Sequence, residues 1–235
     1  MAADKSLIAG RGRCWSSRAR RRGTVPRGVD PETTWGCSKH DGWVQGYSYE
    51  VVTTAAKHGP VWPLLASVDT ASASEQRSFA DKIHQLPPQT RHVLADAGYD
   101  SNALAEMIEW DAAGRRTNRR FLCPQIARPN VGRPRKRSSR ETKARQRHRR
   151  LRTARRQYYE SRHGRRLYAR RKVRVEPFNA HLKHLFELED RVWHWGLDNN
   201  RTMLLAAIFA FQLLLTYNHL RHQPYAHLQR ILDAL

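Results

Sequence analysis

Three acidic residues stand where side chains from separate elements would converge. Asp4 lies inside the first apolar alternation of the chain, "ADKSLIA" (3–9). Asp96 ends the short apolar run Val93-Leu94-Ala95, and Glu176 falls on the first turns of the helix that "RKVRVEPFNAHLK" (171–183) opens. Acids at strand ends face the edge of a sheet. Three carboxylates gathered there repel one another unless a cation lies among them. Mg²⁺ suits such a place, because it takes few protein carboxylates and fills its shell with water and substrate phosphate. The chemistry such a cluster supports is phosphodiester cleavage with two ions, one at the attacking oxygen and one at the leaving oxygen. A strand-terminal Asp also serves simply to cap the next turn or helix, and both Asp96 and its near twin Asp100 fit that role.

The elements that must position these acids follow an α/β pattern. Strands are expected at 3–9, at 42–56 (Val44, Tyr47, Tyr49, Val51 and Val52 apolar), at 61–72, at 92–97 and at 119–126. Helices are expected at 72–86, with Phe79, Ile83 and Leu86 on one face, and at 101–113, with Ser101 as N-cap. A helical stripe of Val175, Phe178, Leu182, Leu185 and Phe186 covers 171–188. A long helix (199–221) and a short one (224–234) follow, and residues 11–41 read as an extended loop. Closely spaced early strands suit antiparallel hairpins, and strands separated by helices suit parallel pairing, so the sheet is expected to be mixed. The apolar run at 203–217 has 15 residues against the roughly 20 a membrane span needs, so a buried core helix and no membrane partner are expected.

Charge divides the 235-residue chain. It holds 43 Lys and Arg against 21 Asp and Glu, a formal net charge of +22. Residues 128–174 hold 21 basic residues and 2 acids, residues 5–27 hold 8 and none, and the remainder is mildly acidic. An acidic body with two basic segments fits a polyanionic partner, nucleic acid above all. Arg133, Arg135, Lys136 and Arg137 are the densest part of the larger segment, which is expected to be flexible or a solvated helix. The organisation expected is 1–127 as the first part of the core, 128–170 as a basic insertion and 171–235 as a helical completion. Three scattered cysteines imply no disulfide framework and fit a reducing cytoplasm.

"DKSLIAGRG" (4–12), "VLADAGYDS" (93–101) and "RKVRVEPFNAHLK" (171–183) occur in an order and context that resemble the DDE-type transposases of bacterial insertion sequences, IS4-like members included. Asp96-Ala97-Gly98-Tyr99 matches the second motif. Glu176 and Lys183 match the third, with Tyr168 and Arg171 upstream. The resemblance implies an RNase H-like α/β fold, a mixed sheet flanked by helices with a basic insertion before the Glu-bearing helix. It also implies that Asp4, Asp96 and Glu176 are catalytic residues holding two Mg²⁺ (Mn²⁺ as substitute), and that the partner is double-stranded DNA, transposon ends and target alike. Lys183, Arg171 and Tyr168 would contact DNA, paired ends would call for a homodimer, and the protein would act in the cytoplasm at the nucleoid.

The sequence departs from the pattern in three places, the first being Asp4-Lys5-Ser6, where the first motif often reads Asp, then Ser or Gly, then Ser or Thr. Many relatives carry an Arg four residues before the Glu, where this chain has Lys172 with Arg171 one earlier. Family members also usually carry a DNA-binding region before the first Asp, where this chain has three residues. Two alternatives therefore stand beside the transposase: a truncated, inactive remnant that only binds DNA, and a stand-alone RNase H-like nuclease. Of the remaining residues, Tyr99 fits core packing as well as base stacking. Trp193 and Trp195 are expected in the core, and His40 and Asp41 in a turn.

Overall fold

The computed structural model describes residues 1–23, 25–38, 41–126, 142–225 and 227–234. The first half of the chain builds β1 (Ala2–Ala9), a short α1 (Ser17–Arg21), β2 (Thr34–Ser38), β3 (Gly42–Thr53) and β4 (Pro63–Thr70). Then come α2 (Glu75–Ala80), β5 (His92–Leu94), α3 (Asn102–Glu109) and β6 (Arg120–Leu122). The second half is helical: α4 (Lys143–Glu160), α5 (Arg162–Lys172), α6 (Val175–Leu185), α7 (Leu197–Leu220) and α8 (Gln229–Leu232).

The sheet is mixed and built around β3. Gly46 pairs with Ala9 on one side and Thr34 on the other, and Tyr47 pairs with Ile8 and Thr70. Strands β2 and β4 therefore share one edge of β3 end to end, while β1 lies antiparallel along the other edge. Beyond β1 the direction changes: β5 runs parallel to β1, and β6 runs parallel to β5. Four antiparallel strands (β1–β4) continued by two parallel ones, with helices on both faces, make an RNase H-like α/β fold.

Period-2 alternation along β3 splits the core. Tyr47, Tyr49 and Val51 join Ile8 against Phe178 and Leu182 of α6 and Leu204, Ile208 and Phe211 of α7. Val52 turns the other way with Ala3, against Phe79, Ile83, Tyr99, Leu104, Ile108 and Phe121. Helix α7 reaches 24 residues and is, among the described residues, long and apolar enough by length and composition to cross a membrane. It lies instead on the sheet, with Leu204, Ile208, Phe211 and Leu215 buried, as expected for a core helix.

Several elements differ from their sequence expectations for identifiable reasons. The helix expected over 72–86 stops at Ala80 and resumes as a 3₁₀ turn at Ile83–Gln85. At the break, Lys82 turns inward and its ammonium meets Glu50 at 2.7 Å, where Tyr99 also donates to Glu50 at 2.9 Å. Tyr99 is thus a buried core residue. Strand β2 lies within the expected loop, because it forms by pairing with the first third of β3 rather than from any apolar alternation of its own. Asp41 lies in the β2–β3 turn, where its backbone N–H donates to Ser38 Oγ at 2.8 Å, and His40 lies outside the described residues.

The described part of the basic insertion is helical. Helices α4 and α5 meet at Ser161, whose Oγ accepts from the Gly164 N–H at 3.0 Å and so caps α5. A Cβ at Gly164 would come within 2.0 Å of the Tyr158 carbonyl oxygen, so the elbow closes only around a glycine. Arg133, Arg135, Lys136 and Arg137 lie outside the described residues.

Candidate active site

Strand register brings the first two acids together. Ala2 lies beside Leu94 in the parallel β1–β5 pair, so two residues further along each strand direction stand Asp4 and Asp96. Both point to the face covered by α5 and α6, because a strand alternates with period 2. The last strand residue is Leu94. Asp96 follows as N-cap of the 3₁₀ turn Ala97–Tyr99, and its Oδ1 accepts from the Gly98 N–H at 2.9 Å.

Each carboxylate is pinned through one oxygen by a neutral donor. Asp4 Oδ2 accepts from Asn179 Nδ2 at 2.7 Å, and Asn179 Oδ1 in turn accepts from the Tyr49 hydroxyl at 3.2 Å. The other oxygens converge on one cation. Arg171 Nη2 donates to Asp4 Oδ1 and stands 4.0 Å from Asp96 Oδ2. The side chains of Asp4 and Arg171 are only 13% and 11% exposed, whereas that of Asp96 is 43% exposed. Burial pushes the Asp4 carboxyl up to about 6 against the opposing pull of Arg171, with Asp96 and, more weakly, Glu176 adding to the rise.

Helix α6 presents one polar stripe to β1. Asn179 reaches Asp4, and one turn further on Lys183 Nζ donates to the Leu7 carbonyl at 2.9 Å. Residues 176, 179 and 183 share that face by i, i+3 and i, i+7 spacing. Glu176 is exposed at the head of the stripe, in the first turn of α6. Tyr168 is half-buried on α5, one turn before Arg171, and packs edge-on to Tyr159 with ring centroids 5.0 Å apart. Burial raises its hydroxyl to about 12, and the charge of Asp96 adds to the rise. The structure thus brings Asp4, Asp96 and Arg171 into contact range, and Tyr168, Lys183 and Glu176 to the rim. Among the described residues, no three His, Cys, Asp or Glu side chains approach closely enough to hold one metal ion together.

Sequence reasoning missed two members of this neighbourhood. Asn179 sits within "VEPFNAHLK" but has no signature of its own; its i, i+3 spacing from Glu176 puts it on the same helix face without marking it. Glu75, the first residue of α2, is the other. Its Oε2 is buried without a hydrogen-bond partner, and a Cβ at Gly98 would come 1.7 Å from that atom. Burial pushes Glu75 up to about 7; Asp96 adds to the rise and Lys5 opposes it. Trp193 and Trp195, expected in the core, are 45% and 39% exposed, because the segment carrying them runs past the end of β1, where Val192 N–H donates to the Ala9 carbonyl at 2.8 Å.

The pair Asp4–Asp96 could hold a divalent cation: two carboxylates, each with one oxygen fixed and one turned toward a shared position, which a guanidinium nitrogen occupies. Comparison with known proteins adds one finding. A family model described as a transposase DDE domain matches residues 10–213, which include Asp96, Tyr168, Arg171, Glu176 and Lys183 and begin six residues beyond Asp4. No curated protein and no solved structure matched the chain.

Proposed function

Because this chain belongs to the transposases with a DDE domain, we propose that it cleaves DNA strands and joins them to a target at the Asp4–Asp96 pair. The observation that carries this reading is the convergence of Asp4 Oδ1 and Asp96 Oδ2 on one guanidinium nitrogen. DDE transposases act on DNA and generally use divalent metals. Asp4 and Asp96 would hold Mg²⁺ or Mn²⁺, with Glu176 joining from α6. The ions would lower the barrier by activating the attacking oxygen and stabilising the departing one.

The chain's own groups divide the remaining work. Asn179 and the Gly98 N–H fix the orientation of the two acids, so the oxygens that face the reaction are set before DNA arrives. Lys183 and Tyr168 stand at the rim, in reach of a strand entering beside α6. The exposed guanidinium groups of Arg145, Arg147 and Arg150 on α4 offer a track for backbone phosphates, extended in sequence by Arg133, Arg135, Lys136 and Arg137. Two element ends would be handled by two copies of the chain, in the cytoplasm at the nucleoid.

The test is nicking and strand joining by the purified protein on linear DNA carrying the element ends. Cleavage should require Mg²⁺ or Mn²⁺ and fall on the order of 10³-fold in Asp96→Ala. Unchanged cleavage in that variant removes the assignment. Binding should weaken steeply between 50 and 200 mM salt, by roughly 10³-fold if six phosphates are neutralised. Cleavage without joining would favour the nuclease. The position of Glu176, exposed and outside the Asp4–Asp96–Arg171 contact, favours a second reading, a DNA-binding protein without catalysis. Salt-sensitive binding with no metal-dependent cleavage would select it.

A further inference from the structure

Arg171 is an unusual occupant of its site. Its guanidinium is largely buried and meets two carboxylates through one nitrogen, Nη2. Its Nε is also buried, with no hydrogen-bond partner. Arg–carboxylate pairs are frequently bidentate forks. Buried Arg155 likewise leaves its Nε without a partner, but its Nη1 donates to Ser101 and Asn102, whereas Arg171 meets its two acids through Nη2 alone, Asp96 at 4.0 Å. The two acids, by contrast, do not depend on it for their orientation, since Asn179 and the Gly98 N–H pin their other oxygens. Arg171 also lies in the last turn of α5, immediately before the two-residue break at Val173–Arg174. Arg170, Lys172 and Arg174 flank it, so a phosphate approaching this corner meets a concentration of positive charge.

We propose that Arg171 is a tethered counter-cation: it fills the divalent-ion position between Asp4 and Asp96 until a DNA phosphate draws the guanidinium away. The inference rests on the metal-dependent reading above and adds a coupling to it. One positive charge against two carboxylates keeps the pair close without metal. A divalent ion completes the neutralisation that Arg171 leaves unfinished. Metal loading and DNA binding then favour each other, because each supplies a partner that the other event leaves without one.

The experiment is Mn²⁺ binding to the full chain, followed by the electron paramagnetic resonance signal of free Mn²⁺, with and without a short DNA duplex. Wild type is compared with Arg171→Met, which keeps the apolar stem and loses the charge, and with Arg171→Lys, which keeps the charge. Circular dichroism checks that each is folded. Without DNA, Arg171→Met should bind Mn²⁺ about tenfold more tightly than wild type. DNA should tighten Mn²⁺ binding to wild type by a similar factor and leave Arg171→Met unchanged. A purely structural arginine predicts the opposite, weaker Mn²⁺ binding once the clasp is gone, and that result overturns the proposal. So does equal affinity in wild type and Arg171→Met. If Arg171→Met fails to fold, Arg171→Lys and wild type decide: absence of any DNA effect on their Mn²⁺ affinity overturns the coupling. If no form binds Mn²⁺ while all bind DNA, the metal-dependent reading itself falls, and this one with it.

Discussion

Asp96 and Asp100 stand four residues apart at the same end of the sheet, and both face arginines from the basic helices. Asp100 is saturated: Arg155 Nη2 reaches Oδ1 at 3.0 Å, while Arg152 Nη2 at 3.3 Å and the Ile126 N–H at 3.1 Å reach Oδ2. Its side chain is 4% exposed. Asp96 keeps one firm hydrogen bond, from Gly98, and leaves its second oxygen 4.0 Å from Arg171. The same residue type, paired with the same partner type, is finished in one place and left open in the other. A fully bonded buried acid holds structure, whereas an acid with an oxygen in reserve can take a ligand. Sequence distance does not separate the roles; the helix that each acid faces does.

Substitutions can break this contrast. The largest effect is expected from Asp100→Ala, which leaves the buried Arg155 charge without its carboxylate, with only Ser101 and Asn102 as acceptors, and loosens the packing of α4 on β6 and α3. Removing one partner of a buried pair costs about 3–5 kcal/mol, and for a chain of this length that lowers Tm by roughly 10 °C. A melting curve unchanged from wild type would remove the contrast from the side of Asp100.

The next effect is pH-dependent. Burial raises Asp4 to about 6 and Glu75 to about 7, so the folded chain holds these protons more firmly than the unfolded one does. The metal-free protein should therefore lose stability as pH rises from about 4 to 7. Mn²⁺ should reverse the slope by favouring the ionised acids. Thermal melts across that range test it, and Asp4→Asn should flatten the metal-free slope.

Gly98→Ala comes third. Its Cβ would press on Glu75 Oε2, whose carboxyl must shift in a half-buried place, at about 1–2 kcal/mol. The smallest change in stability is expected from Asp96→Asn, within about 0.5 kcal/mol by denaturant titration, although that position governs the proposed chemistry. A large loss there would make Asp96 a second Asp100.

Much of the sheet was legible because the alternation along β3, the apolar stretch within 61–72 and the Val93-Leu94-Ala95 run are local signals. The Asp96 turn was legible from "ADAGY". The Arg171 position shows where local reasoning stops. Its spacing from Glu176 is one residue longer than in relatives, and Lys172 occupies the usual place. The structure resolves this physically: α5 ends at Lys172 and α6 begins at Val175. The break resets the helical phase, so a count along one continuous helix does not apply. Arg171 reaches Asp4, and Lys172 is exposed. Asn179 and Glu75 were illegible for a related reason. Their value comes from the register of α6 on β1 and from the approach of α2 to Gly98, which no local pattern encodes. Nor could spacing tell that Asp100 would be the anchor of α4.

The Ser161 elbow has a mechanical consequence. Asp100 fastens α4 to the sheet through Arg152 and Arg155, while α5 swings off the far end of α4 and carries Arg171 at its tip. Helix α5 is held in turn where Leu167 is buried beside Leu94 and Val175 and where Arg171 meets Asp4. The tight Ser161–Gly164 corner between these two anchors sets one angle between the helices, so the basic face they carry is fastened to the sheet at Asp100 and at Asp4 alike.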